Sequence, residues 1–175
     1  MAVSTLVTTA GSATANAYVT LVVADQYDED RPSVGTTWSS ATDAEKNAAI
    51  LWATTLMDSL WEWSGFTTDS IQSLLWPREG MLKRNEWEYV DDDVIPPELQ
   101  EATAEYARQL LVSDRAGDSD IETQGLTAVK AGPVALQFKQ GVVAKPVPDT
   151  VFHLIPSSWG TVKSRISSVR DLVRA

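Results

Sequence analysis

Any reaction in this chain would have to be carried by carboxylates, hydroxyls and one imidazole. His153 is that imidazole, and it lies between Phe152 and Leu154 in a short apolar stretch. A nucleophilic triad needs a base beside a nucleophile, and a zinc site needs several nitrogen or sulfur ligands. One histidine supplies neither, so packing or a hydrogen bond is its expected use. The chain has no cysteine, which removes disulfides, thiolate metal sites and thiol nucleophiles. Acids number 24, so pairs such as Asp58 and Glu62, one helical turn apart, arise without implying a general acid and base. Asp91-Asp92-Asp93 could offer oxygen ligands to a hard cation, but consecutive acids point in different directions and no glycine supplies the turn of a calcium loop. Asp118-Ser119-Asp120-Ile121-Glu122 alternates and also lacks the glycine. Both are read as solvated acidic loops. No G-x-x-x-x-G-K-[ST], G-x-G-x-x-G or G-x-S-x-G motif occurs. The expectation is a protein that is not an enzyme, with no catalytic residues, no metal and no cofactor.

Tryptophan is the other excess. Six of the seven (Trp38, Trp52, Trp61, Trp63, Trp76 and Trp87) lie within fifty residues. Aromatic platforms stack single-stranded bases, but they do so beside a cationic groove. The same window holds more acids than bases, so buried aromatics in a core or at subunit contacts are the better account. The net charge is −10. Within residues 161–175, Lys163, Arg165, Arg170 and Arg174 oppose only Asp171, a local +3 that leaves −13 on the other 160 residues. Phosphate affinity comes from Lys and Arg displacing counterions, and an acidic body disfavours it. A basic tail on an acidic body instead suits docking onto an acidic protein surface.

A length of 175 residues fits one domain, and 43% apolar residues with 22% charged are ordinary for a folded chain. No apolar run approaches the length of a membrane span. The N-terminal small-residue stretch lacks a basic region and a continuous apolar run, so it is not read as a signal peptide. Residues 1–19 read as an extended arm. Thr20 is a cap for a helix from Leu21 to about Arg31, with Val23, Ala24 and Tyr27 inward. Thr42-Asp43-Ala44-Glu45 has the capping-box form, and Ala49, Ile50, Ala53, Leu56, Met57 and Leu60 repeat on one helical face behind it. Residues 66–96 read as irregular. Pro96-Pro97 opens a third helix with Leu99, Ala102, Tyr106 and Leu110 inward. Leu126–Val129 and Val134–Phe138 alternate around a Gly-Pro turn, the pattern of a β-hairpin at about 126–138. A last short helix runs from Asp149 to about Ile155. The fold class is therefore mainly α: a small helical bundle of three principal helices with a β-hairpin and extended N- and C-terminal arms. The body spans 20–160 and the basic tail 161–175.

The ordered motifs resemble a known family. Asn16-Ala17-Tyr18-Val19-Thr20 leads to Ala24-Asp25 and Tyr27, then Trp38. Lys46 to Ala49, Ala53-Thr54, Asp58 and Trp63-Ser64-Gly65 follow. Leu75-Trp76-Pro77-Arg78 with Gly80, and Ile95-Pro96 before Ala102, complete the series. This is similar to the phage proteins often labelled DnaT-like single-stranded-DNA-binding proteins, and to the head–tail connectors, or adaptors, of tailed phages. The adaptor resemblance implies a structural virion protein of the neck, made in the host cytoplasm. It implies a homo-oligomeric ring, commonly of twelve copies, between the portal protein and tail-side stopper or terminator proteins. Genomic DNA would pass through the lumen without specific binding, and no membrane is involved. The implied portal or neighbour interface is the tail, with Lys163, Arg165, Ile166, Arg170, Leu172 and Arg174. Asp91, Asp92 and Asp93 would face the pore or a neighbour, and Trp76, Pro77 and Arg78 form the structural motif. The alternative is a single-stranded-DNA-binding accessory protein.

Overall fold

The computed structural model describes residues 4–31, 36–85, 87–114, 128–131, 134–137 and 146–163. Helix α1 (Leu21–Glu29) starts where predicted, with the Thr20 hydroxyl accepting the Val23 N–H. A five-residue helix α2 (Thr36–Ser40) follows, which the sequence reading did not include. Helix α3 (Asp43–Leu60) opens with the full capping box: Thr42 accepts the Glu45 N–H and the Glu45 carboxylate accepts the Thr42 N–H. Helix α4 (Pro97–Leu110) has Pro96 as cap and Pro97 at its first position, where a missing N–H costs nothing. Helix α5 (Asp149–Leu154) follows later in the chain, with a single 3-10 turn, Ser157–Trp159, just after it.

The bundle is α1, α3 and α4, and α4 is its hub: it packs against α3, α1 and α5. The predicted stripes meet there. Ala49, Ile50, Ala53, Leu56 and Met57 of α3 are buried, as are Leu99, Ala102 and Tyr106 of α4, with Leu60 and Leu110 half-buried against them. Val23 is a correction, because it is exposed while Ala24 and Asp28 carry the inward side of α1. Val22 is exposed as well, so both valines of this short helix face solvent. Glu105 sits in α4 with its side chain fully buried, accepting from Arg31 and, at 3.0 Å, from Arg108. Gln109 donates to Glu105 and to the Thr150 hydroxyl of α5, so one polar cluster joins α4 to α5 and to Arg31, just beyond the end of α1.

Among the described residues three two-stranded antiparallel pairs accompany the helices. Strand β1 (Trp61–Trp63) pairs with β6 (Gly160–Val162), Trp61 opposite Val162 and Trp63 opposite Gly160. Strands β2 (Phe66–Thr67) and β3 (Arg78–Glu79) pair within the stretch read as irregular. Strands β4 (Ala128–Ala131) and β5 (Val134–Gln137) form the predicted hairpin, Ala128 opposite Gln137 and Ala131 opposite Val134. The β1–β6 pair corrects the tail: residues 161–162 are strand, and the Lys163 N–H bonds the Leu60 carbonyl at 2.8 Å. Local periodicity missed this because the partner strand lies a hundred residues away in sequence. Residues 4–19 hold no helix or strand, yet they are fastened to the body. Asn16 accepts the Val7 N–H at 2.7 Å, and Ala17, Tyr18 and Val19 are core residues.

Candidate interaction surface

The segment that follows α3 is built around four indole rings. Trp61 and Trp63 alternate with the outward Glu62 on β1, so both face inward. Their rings stack at 5.6 Å, Trp76 meets Trp63 edge-on at 5.6 Å, and Trp159 lies 4.9 Å from Trp76. Offset and edge-on contacts of this kind suit the ring quadrupoles. The Trp76–Pro77 peptide is cis. Arg78 is buried and donates to three carbonyls, Ser64 at 2.7 Å, Leu75 at 3.0 Å and Gly65 at 2.8 Å. Only a guanidinium offers enough fixed donors to satisfy three divergent backbone oxygens at once. Gly65 is required beside it: its φ is +66°, and an added Cβ would lie 2.1 Å from the Glu79 carbonyl oxygen. Trp76, Pro77 and Arg78 thus tie residues 66–95 to the body.

A second anchor was not foreseen. Glu62 points outward from β1, while Asp58, one helical turn before it in sequence, turns inward. It accepts the Tyr18 hydroxyl and, at 3.2 Å, the Leu75 N–H. Burial pushes the Asp58 carboxyl above its ordinary range, and burial followed by the Asp58 charge pushes the Tyr18 hydroxyl well up. The Ser73 N–H also bonds the Ser12 carbonyl at 3.2 Å, so the N-terminal stretch and the irregular segment brace one another. Residues so far apart in sequence carry no shared periodicity that could have announced the contact.

Beyond these anchors the same segment turns outward. Leu82 and Tyr89 form a β-bridge, and the Lys83 N–H bonds the Glu88 carbonyl at 2.7 Å, giving a short two-sided tongue. Arg84 fixes it to α5 by donating to the Leu154 carbonyl at 2.6 Å, and Trp159 donates its indole N–H to the Leu82 carbonyl. Trp87 is 89% exposed and Tyr89 65%. Phe152 is half-exposed nearby on α5, with the exposed His153 ring edge-on to it at 5.9 Å. His153 is therefore a surface residue rather than a packed one; with Phe152, Ile155 and Trp61 it lines a shallow cleft. Asp91, Asp92 and Asp93 are exposed, and Asp92 holds the loop through its backbone, accepting the Thr68 hydroxyl at 2.6 Å.

Charge is disposed unevenly over this surface. Seven Lys and Arg side chains among the described residues have a protein partner. Arg31 and Arg108 hold Glu105, Lys46 holds Asp25, and Lys83 holds Glu88. Arg78, Arg84 and Lys163 donate to backbone carbonyls. Of the tail residues, Arg165, Ile166, Arg170, Leu172 and Arg174 lie outside the described residues. Among the described residues no group of three histidines and acids is placed to hold a metal ion, and no helix is long and apolar enough to cross a membrane.

A family model described as "Putative DnaT-like ssDNA binding protein" matches residues 4–174. The chain belongs to that family. No curated protein and no solved structure matches it. The family description names single-stranded DNA, and it covers the anchors Tyr18, Asp58 and Trp76–Arg78, the exposed tongue and the basic tail alike.

Proposed function

We propose that the chain is a non-enzymatic structural subunit, a head–tail adaptor of a tailed-phage particle. It associates with its own copies into a ring between portal and tail-side proteins, and DNA passes through the lumen. One observation carries the reading: the tongue and α5 expose Trp87, Tyr89 and Phe152, while Arg31, Lys46, Arg78, Lys83, Arg84, Arg108 and Lys163 are committed to partners within the body. Exposed tryptophan and tyrosine beside an arginine are the residues that dominate protein–protein contacts. An acidic wall repels the phosphates of a passing duplex.

The second reading, single-stranded DNA binding, has the family description in its favour. It also has Lys83 and Arg84 in the same tongue as Trp87 and Tyr89, a minimal stacking platform. Salt separates the two. A labelled oligonucleotide titrated at rising salt should show steeply falling affinity if the chain grips phosphates, with a log–log slope of about −0.7 per contact. The adaptor reading expects almost no binding at any salt, and a closed assembly of defined mass by sedimentation. Tight, salt-sensitive DNA binding by a chain that stays monomeric would overturn it.

A further inference from the structure

A second exposed face lies on residues 66–71 and 91–94, and it differs in chemistry from the tongue. Phe66 is 78% exposed and Ile71 65%, with Val94 also exposed. Three contacts make these one surface. Phe66 pairs with Glu79 across β2–β3, Thr68 donates to the Asp92 carbonyl at 2.6 Å, and the Ile71 N–H bonds the Asp69 carboxylate at 3.1 Å. Around the apolar residues stand the exposed acids Asp69, Glu79, Asp91, Asp92 and Asp93. The one cation within residues 66–81 and 88–95 is Arg78, which is buried on carbonyls. An apolar patch ringed by a single sign of charge is shaped for a partner that is apolar and of the opposite sign.

The chain carries such a segment. Residues 164–175 read SRISSVRDLVRA, with Arg165, Arg170 and Arg174 against Asp171, and Ile166, Val169, Leu172 and Val173 at near-helical spacing. We propose that this segment docks on the Phe66–Ile71–Val94 face of a second copy. The direction of β6 selects the second copy. Gly160 lies opposite Trp63, near Phe66, while Lys163 bonds Leu60 at the far end of β1. Strand β6 thus ends at the end of β1 opposite its own acidic face. A contact of tail on face is head-to-tail, and repetition of a head-to-tail contact gives a closed ring when the rotation closes. The inference rests on the reading of the chain as self-assembling and supplies the contact that reading needs.

The test uses the full chain in a concentration series by sedimentation. A face variant carries Asp91→Lys and Asp92→Lys; a tail variant carries Arg165→Glu and Arg170→Glu. All four positions are charged, Asp91 and Asp92 are exposed, and circular dichroism checks that the fold is kept. Each variant alone should weaken self-association about tenfold or more. An equimolar mixture should regain it, because an intact tail then meets an intact face and the reversed pair also matches. Parent-like assembly of either variant, or a mixture no stronger than its components, overturns the contact while leaving the adaptor reading in place. A parent chain that is monomeric throughout the series sinks both.

Discussion

The cluster of Trp61, Trp63, Trp76 and Trp159 and the tongue of Trp87 and Tyr89 are built from the same kinds of residue, and the fold uses them in opposite ways. The four cluster rings are buried in mutual contact. The tongue's rings are among the most exposed in the molecule. The difference lies in what stands behind each ring. Trp61 and Trp63 ride on a strand whose partner β6 delivers Trp159 from the other end of the chain, and Arg78 neutralises the irregular backbone that lets Trp76 in. The tongue is tied by Arg84 and the Trp159 indole through its backbone carbonyls and those of α5, leaving its ring faces uncovered. Hydrophobicity alone does not choose between core and contact surface. The supply of partners for the adjoining polar backbone does.

The comparison yields predictions of decreasing size in stability and rising relevance to binding. Trp76→Ala should be the most damaging, removing the ring that joins Trp63 to Trp159 and costing about 3–5 kcal/mol in denaturant unfolding. A loss under about 1 kcal/mol would mean the cluster repacks, and the contrast with the tongue would fade.

Glu105→Gln probes the polar cluster at the bundle's hub. Burial raises the Glu105 carboxyl, but hydrogen bonds from Arg108 and Gln109 outweigh it, so it titrates below its ordinary 4.5. The unfolded chain therefore takes up a proton where the folded one still holds the carboxylate bare. Stability from this group is fully present above 4.5 and is lost as the pH falls through the lower folded value. The variant should be about 1–3 kcal/mol less stable at neutral pH, with a shallower loss on acidification. Parallel urea midpoints for the two proteins across that range would count against the assignment.

Trp87→Ala with Tyr89→Ala should change stability by about half a kcal/mol or less, as surface substitutions do, yet sharply reduce association between subunits. Parent-like sedimentation of this double variant would remove the tongue from the interface. Smallest of all in stability is Asp91→Asn, Asp92→Asn and Asp93→Asn together, expected to leave unfolding unchanged within about 0.5 kcal/mol. It should weaken assembly less than charge reversal does. A stability loss above about 1 kcal/mol would show that these acids support the loop rather than face a partner.

Much of this was legible in the residues themselves. Thr42 and Glu45 announced the start of α3, Pro96-Pro97 the start of α4, and the facing apolar stripes their packing, because caps and helical periodicity are local physics. The alternation around Gly132-Pro133 likewise marked the β4–β5 pair, and the order L-x-W-P-R marked an anchor. Tertiary structure alone decided the rest. It turned Asp58 inward to Tyr18 and Leu75, and it drew residues 160–163 out of the tail into a strand against β1. It also sorted similar tryptophans: Trp61, Trp63, Trp76 and Trp159 into a buried cluster, and Trp87 onto an exposed tongue. Each of those outcomes joins residues far apart in the chain, where the gain comes from satisfying a buried polar group or closing a ring contact. Neither leaves a trace in local spacing.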